Sequence, residues 1–305
     1  MPKNVSLSHY LKSHLNYPRY YWRVFTEYNS NVRNPITTLN KVRQSKFPLK
    51  MELKDGSVLT VNSHFETSAV SRGYGNCFTI NDGVVTITKE GLPEIRLYGV
   101  AENGDVVTVF FEEEYEFLNM KDCVVIDVGA NIGDSSIYFA LRGAKSVIAL
   151  EPVIANFMIA EKNVSENNLG GKIKLLHAGC SGRKGTITIS KNAAGPCSEL
   201  CNVAQGDDVK LTTLEEIVKD IDKNENMILK MDCEGCEYES VLKCPDKILK
   251  RFQKMVIEYH YGYQDLRTKL EECGFETSVT EPHHVYNSDL KNPNMFMGNM
   301  YAVRR

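Results

Sequence analysis

The chain has 305 residues, 42% hydrophobic and 25% charged, the proportions of a globular protein with a sizeable core. Its 36 basic and 39 acidic residues leave a formal charge of −3, and no basic stripe of the kind that tracks a nucleic-acid backbone runs through it. The longest apolar runs, such as Val106 to Phe111, are too short to span a bilayer, and the opening MPKNVSLSHYLKSH lacks the apolar stretch of a signal peptide. Nine cysteines, an odd number without such a signal, point to reduced thiols and a cytoplasmic setting.

Three regions succeed one another. Residues 1–45 are polar and aromatic-rich, with Leu11, Leu15, Tyr21, Val24, Phe25 and Tyr28 at helical spacing, and read as a helix covering the edge of the adjoining domain. Residues 46–114 turn to a period of two. LKMEL-KDGS-VLTVN, FTI-NDG-VVTIT and IRLYGV-AENGD-VVTVFF each set a glycine turn between alternating runs, which predicts a small β-rich subdomain of hairpins. EEEYEFLNM (112–120) reads as a short helix leading into the third region, 115–305.

From Lys121 strands and helices alternate. Strands are expected at VVIDVG (124–129), SVIAL (146–150), IKLLHA (173–178), MILKMD (227–232) and MVIEYH (255–260), mostly continuous apolar runs of the kind covered on both faces in a parallel sheet. Helices are expected at 134–142, 153–166, 212–222 and 236–249, with an added strand at 185–191. A helix (263–273), a strand (275–280) and a closing strand (300–304) finish the sheet with an antiparallel pair.

The first strand runs into Asp127-Val128-Gly129-Ala130-Asn131-Ile132-Gly133-Asp134 and at once into a helix. Small residues are needed where a ligand approaches such a turn, and Gly129, Ala130 and Gly133 supply them. Asp127 at the strand end is placed to bind a ligand ammonium, directly or through water. The next strand ends at Glu151-Pro152, eighteen residues past Gly133, where a carboxylate accepts hydrogen bonds from both ribose hydroxyls. A dinucleotide site would carry G-x-G-x-x-G, but Asn131 occupies the middle position. A nucleoside with an amino-acid tail fits better, and S-adenosylmethionine is such a ligand.

DVGANIGDSS, Glu151-Pro152, TLEEIV (213–218), LKMDCEGCEYESVL (229–242) and VIEYH (256–260) together resemble the FkbM-type methyltransferases, over about residues 115–305. The resemblance implies an α/β, class I Rossmann-like sheet of seven strands in the order 3-2-1-4-5-7-6, beside the smaller β-rich N-terminal region. It also implies S-adenosylmethionine as cofactor and O-methylation of a hydroxyl on a sugar, glycan or related small molecule.

Ligands of open α/β sheets sit at the carboxyl ends of the strands. Asp232 follows the fourth strand and is the first candidate for a general base, with Glu234 and His260 behind it and Glu258 placed to hold acceptor hydroxyls. Glu234 and Glu237 also suit the start of a helix, where acids are favourable and solvated. A divalent metal across Asp232 and Glu234 is left unassigned, because carboxylates at this spacing are common. Cys197, Cys201, Cys233 and Cys236 have a spacing that would suit zinc, but Cys233 and Cys236 also suit small apolar filling of the loop, ahead of either zinc or a redox pair. His283 and His284 fall on the acceptor side or the surface. Two other readings stay open: a nucleic-acid methyltransferase, hinted at only by Tyr20, Tyr21, Trp22 and Arg23, and a non-catalytic protein that binds S-adenosylmethionine.

Overall fold

The computed structural model describes residues 22, 24–101, 105–189, 206–286 and 294–305. These fall into two compact units that meet in the chain between Glu116 and Phe117. Leu11, Leu15, Tyr20, Tyr21, Arg23, Cys197 and Cys201 lie outside the described residues.

In the first unit, residues 24–31 are helical and a second helix spans Pro35–Arg43. Strands β1 (Leu49–Glu52) and β2 (Val58–Val61) form the expected antiparallel hairpin. Tyr28 and Val32 pack with Leu49, Met51, Val61 and Val70 into one apolar cluster. A three-stranded antiparallel sheet comes next, built from β3 (Phe78–Asn81), β4 (Val84–Ile87) and β5 (Ile95–Leu97). Asp82 and Gly83 turn β3 into β4 with both φ angles positive, 50° and 77°, as a two-residue hairpin requires.

Two features differ from the reading of this unit as hairpins alone. The run expected as the last strand is a helix, Asp105–Phe110. Its β-branched residues favour a strand in isolation, but Val106, Val107, Val109 and Phe110 are all buried, the spacing of a helix face. A helix also spans His64–Ser71. It begins at a variant of the capping box: the Ser63 hydroxyl accepts the Glu66 N–H at 3.1 Å, and Glu66 Oε1 reaches one residue past the N-cap to accept the Asn62 N–H at 3.0 Å. The short helix expected at 112–120 is a single turn of 3-10 helix, Glu116–Leu118.

The second unit is built on one large sheet. Its strands are β6 (Val124–Val128), β7 (Ser146–Leu150), β8 (Ile173–Leu176), β12 (Met227–Met231), β13 (Phe252–Tyr259), β14 (Phe275–Val279) and β16 (Asn294–Arg304). Across the sheet they lie as β8-β7-β6-β12-β13-β16-β14, which is the order 3-2-1-4-5-7-6. The first five are parallel, while β16 runs antiparallel to both β13 and β14. β15 (His283–Tyr286) extends the sheet along the first part of β16.

Every residue of β6 and β12 is buried, as expected of central strands covered on both faces. One face carries Ile126, Val128, Leu229, Met231 and Ile257 against Leu214, Val218, Val241, Leu266 and Leu270 of the helices Leu214–Val218, Cys236–Leu242 and Gln264–Glu272. The helices Asp134–Leu141 and Ile154–Glu166 pack against the β6–β8 side of the sheet. Pro245 splits the expected 236–249 helix, because a new helix starts immediately after it at Asp246–Leu249. The added strand at 185–191 is β10 (Gly185–Ile189). It belongs to a separate three-stranded sheet with β9 (Gly179–Cys180) and β11 (Asp207–Thr212). Among the described residues no helix is long and apolar enough to cross a membrane.

Candidate functional site

The turn after β6 is held from three sides. The N–H groups of Gly129 and Ala130 donate to the Leu150 carbonyl at 3.0 and 2.9 Å. The Asp232 N–H donates to the Val128 carbonyl at 3.0 Å, and the Asn163 side chain to the Ile132 carbonyl at 2.8 Å. Gly129, Asn131 and Gly133 all have positive φ. The two glycines are required by the protein itself and not only by a ligand. A Cβ on Gly129 would lie 1.6 Å from the Asp232 carbonyl oxygen, and one on Gly133 would lie 3.3 Å from Ala160 Cβ. Ala130 is wholly buried beside them.

Asp127 corrects the expectation for the ligand's ammonium group. The residue is fully buried, with Oδ1 3.2 Å from Lys230 Nζ and Oδ2 accepting the Ser135 and Ser136 hydroxyls at 2.7 and 2.6 Å. Lys230 also donates to the Gly129 carbonyl at 2.7 Å. Asp127 is therefore engaged inside the protein, and through Lys230 it fixes the glycine turn. Burial opposes a charge on Lys230, but the carboxylates of Asp127, Asp232 and Asp134 outweigh it and hold its pKa above the ordinary lysine value.

Glu151 follows β7 and is 4% exposed. Oε2 accepts the Asn131 N–H and Oε1 the Val153 N–H, each at 2.8 Å, which leaves lone pairs on both oxygens. Burial pushes its pKa up to about 7, against those two N–H donors, Lys230 and Asn156. Pro152 is half-buried, and its carbonyl lies 3.0 Å from His177 Nε2. A buried carboxylate with spare acceptor capacity, next to the turn it also ties down, fits a ribose diol.

The loop after β12 supplies the second half of the site. Asp232, Glu234 and His260 come together, each offering a donor atom within 4.8 Å of the others. His260 Nε2 is 3.3 Å from Glu234 Oε2 and 3.8 Å from Asp232 Oδ1, and Nδ1 is 2.9 Å from Glu237 Oε1. The helix-start acid Glu237 is not solvated but wholly buried: Oε1 also accepts the His260 N–H, and Oε2 accepts the Gly235 N–H at 2.9 Å. Gly235, at φ 111°, allows the sharp entry into the helix Cys236–Leu242. Burial opposes a charge on His260, but Glu237, Glu234 and Asp232 overcome it and push its pKa up to about 10. A histidine already protonated near neutrality is a charge partner for these acids, which removes it from the list of general bases. Asp232, with 30% of its side chain exposed, is the open member of the cluster.

Glu258 is half-buried on β13 opposite Asn299, and the Met231–Ile257 register sets Asp232 level with it. Cys233 and Cys236 are joined in a disulfide, with Cα atoms 5.5 Å apart across the turn into the helix. This corrects the reading of these two as reduced thiols and takes two ligands from the zinc set. The other described cysteines, Cys77, Cys123, Cys180, Cys244 and Cys273, are free. His283 and His284 lie on β15, paired with Met297 and Phe296. Lys230, Ser135 and Ser136 had no role assigned from sequence, and Glu237 had only that of a solvated acid at a helix start. The signals were present in a lysine inside the apolar MILKMD run and an acid on the apolar side of a helix.

Residues 127–277 match the family model described as a methyltransferase FkbM domain. Among solved structures the chain is similar to methyltransferase FkbM from Methylobacillus flagellatus KT, at 18% identity and a TM-score of 0.43. That match covers 65% of this chain and 47% of the other, so the chain spans about half the length of that protein. It is also similar to a putative RNA methyltransferase from Pyrococcus horikoshii (16% identity, 66% of this chain, 84% of that one, TM-score 0.38). A third similar structure is Trm5b from Pyrococcus abyssi (12% identity, 74% of this chain, 57% of that one, TM-score 0.38). No curated protein matches. Residues 127–277 thus carry the match to a methyltransferase FkbM domain, of the class I kind that uses S-adenosylmethionine.

Proposed function

We propose that the chain methylates a hydroxyl of a small molecule or glycan, with Asp232 as the general base. The observation that carries this reading is the join between the two halves of the site. The Asp232 backbone donates to the Val128 carbonyl, and its own carbonyl occupies the space a Gly129 side chain would need. The open acid of the cluster is thereby fixed beside the cofactor turn.

S-adenosylmethionine supplies an electrophilic methyl on a positively charged sulfur. Glu151 holds the ribose diol, and the Gly129–Gly133 turn, with Ala130, Asn131 and Pro152, shapes the nucleoside seat. Asp127 and Lys230 act from behind by keeping that turn in place. Asp232 takes the hydroxyl proton as the oxygen forms its bond to the methyl carbon and the carbon–sulfur bond breaks. Protonated His260, shared with Glu234, keeps Asp232 oriented, and Glu258 orients further acceptor hydroxyls.

The test is transfer from methyl-labelled S-adenosylmethionine to fractionated cell extract, sorted into glycan, lipid, nucleic acid and small metabolite. The label is expected as a methoxy group in the glycan or metabolite fraction. Label confined to nucleic acid would reject the acceptor class. Asp232→Asn should leave cofactor affinity within about twofold and lower turnover by at least about a hundredfold. Retained turnover removes Asp232 from the base role.

A further inference from the structure

The cluster at the end of β12 and β13 contains an arrangement that proton transfer alone does not explain. His260 is completely buried, and its two ring nitrogens are in different situations. Nδ1 is engaged by Glu237 Oε1 at 2.9 Å, and Glu237 is itself immobilised by the N–H groups of His260 and Gly235. Nε2 has no hydrogen-bond partner, yet it points between two acids, 3.3 Å from Glu234 Oε2 and 3.8 Å from Asp232 Oδ1. A buried carboxylate that fixes one nitrogen of a histidine, so that the other is aimed at further acids, is the support that metal-ligating histidines have.

Distances agree with this. Ligands about 2.0–2.2 Å from one cation lie up to roughly 4.4 Å apart, and both separations from Nε2 fall inside that limit. We propose that Asp232, Glu234 and His260 Nε2 bind one divalent cation, which displaces the Nε2 proton to solvent and takes over the imidazolium's place between the two acids, with Glu237 as the positioning residue behind the histidine. Two carboxylate oxygens and one imidazole nitrogen suit Mn²⁺ or Zn²⁺ better than Ca²⁺ or a thiolate-seeking ion. Three protein ligands leave coordination positions open. On the methyl-transfer reading above, one of these takes the acceptor's hydroxyl oxygen and lowers its pKa, while the second oxygen of Asp232 receives the proton. The Cys233–Cys236 disulfide flanks the site but supplies no ligand.

The experiment is titration of chelator-stripped, full-length protein with Mn²⁺, following loss of the free-ion electron paramagnetic resonance signal. Calorimetry with S-adenosylmethionine is run on the same preparations. One Mn²⁺ per chain is expected, with affinity at least tenfold weaker in Asp232→Asn and in His260→Asn. Asp232→Asn is partly exposed and should retain the wild-type circular dichroism spectrum, so its loss of Mn²⁺ cannot come from misfolding. Equal Mn²⁺ binding by wild type and Asp232→Asn, or no site in the wild type, overturns the proposal. Cofactor binding without Mn²⁺ removes the cation alone, whereas absence of both also removes the methyl-transfer reading.

Discussion

Replacing Lys230 by Met should loosen the glycine turn more than any surface change in this domain, because it strands a buried charge. Asp127 would keep two hydroxyl donors, Ser135 and Ser136, and lose its counter-ion at 3.2 Å. The Gly129 carbonyl would lose its 2.7 Å donor in the same step. Breaking a buried ion pair from one side costs about 3–5 kcal/mol. The two serines place the expected value near the lower end, about 3 kcal/mol, or roughly a hundredfold in the opening equilibrium. Trp22, the chain's sole tryptophan, lies in the other unit, so its fluorescence is the wrong probe. Peptide-resolved hydrogen exchange over 124–133 reads the effect directly. Protection there should fall by about two orders of magnitude in Lys230→Met and recover in part in Asp127→Asn/Lys230→Met, where no charge is stranded. Unchanged protection in Lys230→Met would refute the argument. So would a loss in the double variant equal to the sum of the single losses, since the two groups would then be uncoupled.

Two further outcomes concern the same turn. Glu151 carries a pKa raised to about 7, above its unfolded value near 4.5, so ionising it in the free protein is unfavourable and a diol that donates to the carboxylate favours the ionised form. Cofactor affinity by calorimetry should therefore rise with pH between about 6 and 8, and Glu151→Gln should bind more weakly with a flat profile; a wild-type affinity independent of pH over that range contradicts the assignment. Gly129→Ala drives a methyl into the Asp232 carbonyl at a φ of 80°, so it should cost at least about 3 kcal/mol, the upper end for overpacking, and lower the amount of folded protein recovered; wild-type exchange protection in that variant would show that the two loops are not locked together.

The sheet was readable from sequence because the apolar runs at 124–129, 146–150 and 227–232 match buried parallel strands, and because the family resemblance carried the strand order. The helix Asp105–Phe110 was not readable as such, since Val106, Val107 and Val109 favour a strand locally and only their burial on one helical face decides otherwise. The helix His64–Ser71 carried a legible Ser63–Glu66 capping-box variant that the alternating pattern around it obscured. In the site, Gly129, Gly133, Glu151, Asp232 and His260 could be picked out by spacing and strand ends. What Asp127 does could not, because its partner Lys230 is 103 positions away and joins it only through the β6–β12 register. His260 looked like a spare base until its neighbours were known. Three acids gathered from one loop and helix make it a cation instead.

Calorimetric titration of the wild-type chain and of Glu151→Ala with S-adenosylmethionine tests the account most directly. One cofactor per chain, with affinity at least tenfold weaker in Glu151→Ala, is the predicted result. No binding by the wild type, or equal binding by both proteins, would contradict the assignment of the Gly129–Gly133 turn and Glu151 as the cofactor seat.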